Sequence, residues 1–93
     1  MRTDPMTVEE VRDFVVAAFF ACWPHDKAGF AETTEEIVAE PNFVEGFMAA
    51  MDVIRAEAIA AGGDAGEVEL TIEQLRAGAE RDHQRAVGVT RKQ

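Results

Sequence analysis

Ten consecutive apolar residues, Phe14 to Trp23, followed at once by Pro24, limit the folds open to this chain. Thr7 and Glu10 precede the run in the spacing of a capping box, in which each side chain accepts a hydrogen bond from the other residue's backbone amide. A proline disfavours the helical conformation of the residue before it. The sequence therefore predicts a helix from about Val8 to Cys22.

The large side chains of this helix do not fit on one side of it. Successive helical residues are about 100° apart, so Phe19, Phe20 and Trp23 cannot all face one core within the chain. A helix that is apolar all round is buried on all sides. We therefore expect the helix to contribute core on one side and an interface on the other. Phe19, Phe20 and Trp23 are the candidate partner-binding residues, and we expect the chain to form a homodimer.

The middle of the chain predicts two more helices. The segment HDKAGFAE reads as a loop, after which a short helix is expected over residues 35–40 with Thr33 or Thr34 as its cap. Pro41 suits the first turn of a helix, and the glycine pair at residues 62–63 is typical of a helix end. The longest helix should therefore lie between that proline and those glycines.

A second predicted loop, GGDAGEVEL, precedes the last helix. Thr71 and Gln74 have capping-box spacing, which predicts a helix from about Ile72 to Val87. Its apolar face is thin, so we expect it to be the least stable element. Residues 88–93 should form a frayed basic tail.

These signals together predict an all-α fold. The expected architecture is a small helical bundle of three main helices plus one short helix. A chain of 93 residues is long enough for one domain, so we expect a single helical domain over residues 1–93.

Charge is distributed unevenly along the chain, whose formal net charge is −9. Residues 1–73 carry 16 acidic and 4 basic side chains, a net of −12, whereas residues 74–93 carry 2 acidic and 5 basic ones, a net of +3. An acidic body repels nucleic acid, so we expect no direct binding to it. The basic end, with Arg76, Arg81 and Arg85 on the last helix, is a second candidate partner-binding surface.

The residue types of catalysis and metal binding are sparse. Zinc needs four ligands at recognisable spacing, and the chain has one cysteine and two histidines. Cys22 lies within the apolar run, where a thiol is a small inert hydrophobe, although His25 follows closely. We therefore expect no enzymatic activity, no cofactor and no metal site. A single cysteine, and an apolar run too short for a membrane span, predict a cytoplasmic protein.

Two alternative interpretations stay open at this point. The segments GFAETTEEI and AGEVELTIEQL resemble the second halves of EF-hand calcium loops. With Gly29 at position 6 of the motif, Glu35 reaches position 12 but Pro24 falls at position 1, and with Gly66 at position 6, Ile72 falls at position 12. The resemblance thus implies a metal-free EF-hand-like domain. The second alternative is an acidic mimic of nucleic acid that inhibits proteins which bind it.

The leading interpretation is a non-enzymatic, acidic, helical protein-binding module. Its expected role is regulatory: it would bind and modulate a host or partner protein. Abundant alanine and the excess of arginine over lysine, seven to two, follow GC-rich coding, so we expect a high-GC bacterium or one of its phages as the source.

Overall fold

Four helices make up the structure, which is a computed structural model that describes residues 4–91, with side chains up to residue 88. They are α1 (Val8–Cys22), α2 (Lys27–Glu35), α3 (Phe43–Ala60) and α4 (Ala65–Arg91). Residues 4–91 contain no strand, so the prediction of an all-α fold with three main helices and one short one is confirmed. Residues 88–91 of the predicted frayed tail belong to α4, and residues 92 and 93 lie outside the described part.

Helix α1 begins and ends where the sequence predicts. The Thr7 hydroxyl accepts a hydrogen bond from the Glu10 amide at 3.1 Å, and Glu10 Oε1 accepts one from the Thr7 amide at 2.9 Å. Trp23 ends the helix with extended backbone angles, φ −82° and ψ 142°, because it precedes Pro24. The capping box and the proline therefore fix both ends of α1 locally.

Helix α2 lies where the sequence predicts a loop, so the prediction of a short helix over residues 35–40 is wrong. The helix begins at Asp26, whose carboxylate accepts a hydrogen bond from the Gly29 amide at 2.9 Å. The hydroxyls of Thr33 and Thr34 do not cap a helix start; they donate to carbonyls within α2. Residues 36–39 form turns. Asp and Thr are both favoured caps, so the sequence alone does not separate Asp26 from Thr33 or Thr34; the structure uses Asp26.

Helix α3 is anchored at its start by the segment that precedes α1. The Asn42 side-chain amide donates to the Met6 carbonyl at 2.7 Å, and the Met6 amide donates to Glu40 Oε1 at 2.9 Å. At the other end, Gly62 adopts φ +95°, a left-handed conformation that favours glycine. The glycine pair thus ends α3 as predicted, but α3, with 18 residues, is not the longest helix, since α4 has 27.

Helix α4 begins seven residues earlier than predicted. Asp64 Oδ1 accepts a hydrogen bond from the Glu67 amide at 3.0 Å and so caps the helix. Thr71 lies inside the helix, which means that the predicted capping box of Thr71 and Gln74 does not start it. Most of the second predicted loop is therefore helical, as is the first. Neither segment that resembles an EF-hand loop is a loop in the structure.

Helix α3 lies at the centre, with α1 and α4 packed against it and α2 packed against α1. Gly46 lets the start of α3 approach the start of α1, since a Cβ atom there would overlap the Val11 side chain and lie 3.0 Å from the Val8 carbonyl oxygen. Within residues 4–88, the core contains twelve buried apolar side chains: Val11, Val15, Ala18, Phe30, Ile37, Phe43, Phe47, Ala50, Met51, Ile54, Ile72 and Ala79.

Helix α4 is attached to the body on one side only. In the described part of the chain, no Cα atom of α1 or α2 comes within 8 Å of a Cα atom of α4. The space between α4 and these two helices is therefore not closed by helix packing. It forms the grooves described next.

Candidate protein-binding site

Three aromatic side chains cluster at the end of α1, and they are the three that the sequence selects. The ring of Phe19 stacks on Trp23 with centroids 5.5 Å apart, because residues four apart share one side of a helix. Phe20 packs edge-on against Phe19 at 5.6 Å. Phe19 and Trp23 are half-buried, whereas Phe20 is 54% exposed. The cluster is thus partly core and partly surface.

These side chains form one wall of a groove of about 390 Å³, here called the aromatic groove. The α1 wall consists of Phe19, Phe20, Trp23 and Pro24, the floor of Ile54 and Ala58, and the α4 wall of Gly63, Asp64, Glu67, Val68, Thr71, Ile72 and Leu75. The α4 wall is missing from the sequence-based site because residues 64–70 read as a loop. The pair Asp64 and Glu67, three residues apart, was the available sign of a helix start there.

The charged side chains that line the aromatic groove are both acidic. Asp64 is engaged as the cap of α4, and Glu67 lies in the first turn of that helix. The positive end of the helix dipole favours carboxylates at these positions. Because no cationic side chain lines this groove, its α4 rim favours a partner that presents positive charge.

A second groove, here called the α2–α4 groove, continues the first. It also measures about 390 Å³, and Trp23 and Leu75 line both grooves. Its floor includes Phe30, Phe43 and Phe47, which are at most 4% exposed, so it offers little open apolar surface. The larger share of accessible aromatic surface is therefore at the Phe20 end.

Gly78 lies on the α4 side of the α2–α4 groove. A Cβ atom placed on Gly78 would meet one atom within 4 Å, Arg81 Nη2 at 3.8 Å. Packing within the chain therefore does not require a glycine at this position.

The three arginines that the sequence analysis names as candidate partner-binding residues do not line the aromatic groove of their own chain: Arg76, Arg81 and Arg85. Arg76 is half-buried and pairs with Glu73 at 2.8 Å, one turn earlier on α4. Arg81 and Arg85 are exposed farther along the same helix. The two surfaces that the sequence selects are consequently separate within one molecule.

His83 attaches the second half of α4 to the body. Its Nδ1 lies 2.7 Å from the Val38 carbonyl oxygen, which can only accept, so Nδ1 donates. The imidazole also stacks on Phe43, with centroids 6.0 Å apart and an interplanar angle of 22°. The half-buried position of His83 matches the packing-edge role that its place on the apolar side of the helix indicates.

The candidate chemistry of Cys22 and His25 gains no support from their surroundings. Cys22 is half-buried among apolar side chains packed on the core, and His25 is exposed. Within residues 4–88, no three side chains of His, Cys, Asp or Glu are placed to hold a metal ion. Nor does any helix of the described chain combine the length and the hydropathy needed to cross a membrane.

Comparisons of the chain with protein-family models, with curated proteins and with solved structures found no significant match. The case for a function rests on the two grooves and on the side chains that border them.

Proposed function

We propose that this chain is a non-enzymatic protein-binding module that holds a partner protein in the aromatic groove. The observation that carries the proposal is Phe20, a large apolar side chain that is 54% exposed at the wall of a groove lined by two more aromatic rings. Burying such a side chain is worth about 1.5–3 kcal/mol. That free energy becomes available when a partner covers the groove.

The composition of the groove favours a protein over a nucleic acid. Aromatic side chains at the centre of a contact, with apolar neighbours and a charged rim, are typical of the residues that dominate protein–protein binding energy. Asp64 and Glu67 repel phosphate groups, and the charge of the whole chain acts in the same direction. The aromatic groove also continues into the α2–α4 groove, and a long continuous groove of this kind suits a partner helix bound along α4.

The proposed role is regulatory. A small domain that covers a surface of another protein changes what else can bind there, and it needs no chemistry of its own to do so. The acidic rim of the aromatic groove favours a partner that presents basic side chains at the contact itself.

The test compares two exposed apolar residues. Phe20 is 54% exposed in the aromatic groove, whereas Leu70 is 61% exposed on α4 and lines neither groove. Helical peptides are selected from a random displayed library on the immobilised wild-type chain, and their binding to Phe20→Ser and Leu70→Ser is then measured.

We expect the selected peptides to bind wild type and Leu70→Ser equally, and to bind Phe20→Ser at least about tenfold more weakly, as for loss of a buried aromatic anchor. Circular dichroism must show the same helix content in all three proteins. Equal binding to Phe20→Ser would overturn the proposal that the aromatic groove is the binding site.

A further inference from the structure

The side of α4 that borders both grooves has two acidic residues at its start and, after Asp82, an arginine at its end. Asp64 and Glu67 line the aromatic groove, and Gly78 and Asp82 line the α2–α4 groove farther along. These positions, with Thr71 and Gln74 between them, repeat every three or four residues and so share one side of the helix. Arg85 is the next position in this repeat, and it is exposed.

The Glu67 and Arg85 side chains cannot meet within one molecule. Glu67 and Arg85 lie on the same straight helix, about 27 Å apart at 1.5 Å per residue. That distance is well beyond the screening length of about 8 Å at physiological salt. A second copy of the chain, with its own α4 reversed, brings an arginine to Glu67 and an acidic group to Arg85 at the same time.

Gly78 stands at the centre of this pattern, seven residues after Thr71 and seven before Arg85. A glycine inside a helix costs about 1 kcal/mol relative to alanine, and no contact within the chain requires one here. A missing side chain lets another backbone approach closely. The centre of the charge pattern is therefore also a point where another backbone can approach α4 closely.

We propose that the partner in the groove is a second copy of this chain, with the two α4 helices antiparallel and crossing at Gly78. This inference rests on the proposed function, since it names the occupant of the same site. A two-fold axis at Gly78 places Arg85 of one copy opposite Thr71 of the other and within one turn of its Glu67. The same contact occurs twice, as two-fold symmetry requires.

The apolar part of the contact comes from the groove itself. When the end of α4 from the second copy lies along the first copy's α4, it also covers the wall formed by Phe20 and Trp23. In this dimer the predicted interface at the end of α1 and the basic end of α4 form parts of one contact.

The test exchanges charges between two versions of the chain. Glu67→Arg and Arg85→Glu each replace two attractive pairs in the homodimer by two repulsive pairs. In an equimolar mixture, however, the heterodimer of the two variants restores both attractive pairs. Sedimentation velocity and light scattering over tens to hundreds of micromolar measure the association of each protein and of the mixture.

Matched controls separate the contact from general charge effects. Glu9→Arg reverses an acid in the first turn of α1, as Glu67→Arg does in α4, and Arg12→Glu reverses a half-buried α1 arginine. Gly78→Leu blocks the crossing point, whereas Ala77→Leu places the same side chain at the exposed neighbouring position, about 100° around α4.

We expect wild type and the three controls to dimerise. Glu67→Arg, Arg85→Glu and Gly78→Leu should each dimerise about 100-fold more weakly or not at all, and the mixture of the two charge variants should regain wild-type association. A monomeric wild type would overturn the second-copy proposal, while groove binding that depends on Phe20 would still stand in the peptide experiment. A wild-type dimer unaffected by both charge reversals would overturn the antiparallel contact of α4.

Discussion

Helices α1 and α4 are held in the fold in different ways. Helix α1 has 15 residues and buries Val11, Val15 and Ala18 along one side. Helix α4 has 27 residues, yet among its side chains up to residue 88 only Ile72 and Ala79 are buried. Packing therefore fixes α1 along its length, whereas α4 is held at a few points and leaves the side that borders the grooves open. A helix held in this way can bind a partner without giving up its own core.

The largest loss of stability is expected from a substitution of Ile72, which holds α4 to the body. Ile72→Ala removes the largest buried side chain of α4 and should lower the free energy of unfolding by about 2–5 kcal/mol. The control Leu70→Ala, two residues away and exposed, should change it by less than about 0.5 kcal/mol. Urea unfolding followed by circular dichroism measures both. Equal effects of the two substitutions would show that α4 is not held at Ile72.

The contact between α1 and α3 should be the next most sensitive. Gly46→Ala introduces a Cβ atom that overlaps the Val11 side chain, so we expect a loss of about 1–3 kcal/mol from overpacking. Gly88→Ala is the same change in α4, where the added atom meets nothing within 4 Å, and it should stabilise the protein by up to about 1 kcal/mol. In the same unfolding assay, we expect Gly46→Ala to lower the free energy of unfolding and Gly88→Ala to raise it. A higher free energy of unfolding in both variants would contradict the close approach of α1 and α3.

The smallest effect concerns the attachment of the second half of α4. His83→Ala removes the hydrogen bond to the Val38 carbonyl and should cost about 0.5–1.5 kcal/mol. Hydrogen exchange should show residues 76–88 opening before residues 43–60 in wild type, and opening faster still in the variant. Gln84→Ala, at an exposed neighbouring position, serves as the control. Uniform protection of α3 and α4 in the variant would show that His83 does not anchor the helix.

The same contrast explains which helices could be predicted from the sequence. The ends of α1 follow from Thr7, Glu10 and Pro24, which act within a few residues of chain, and the end of α3 follows from Gly62 in the same way. Helix α2 was missed because Phe30 and Thr34 are its only buried residues, too few to show a helical period. The start of α4 was missed for the same reason, since Ile72 is its first buried residue.

One wall of the aromatic groove could be predicted from the sequence. The aromatic wall of the groove comes from one helix, so Phe19, Phe20 and Trp23 could be found from their spacing alone. The opposite wall comes from α4, and its place beside α1 depends on how both helices pack against α3. No local pattern carries that information. The relation between Glu67 and Arg85 likewise becomes visible only when α4 is known to be one continuous helix.

Trp23 gives the molecule an optical probe at the site of interest. It is the only tryptophan in a chain without tyrosine, so the intrinsic fluorescence of the protein comes almost entirely from its indole. The ring stacks on Phe19, the ammonium group of Lys27 lies 4.8 Å from its centroid, and it lines both grooves. Whatever covers either groove must displace water from this one ring. Emission wavelength and quenching by iodide therefore report occupancy of the grooves in the unlabelled protein.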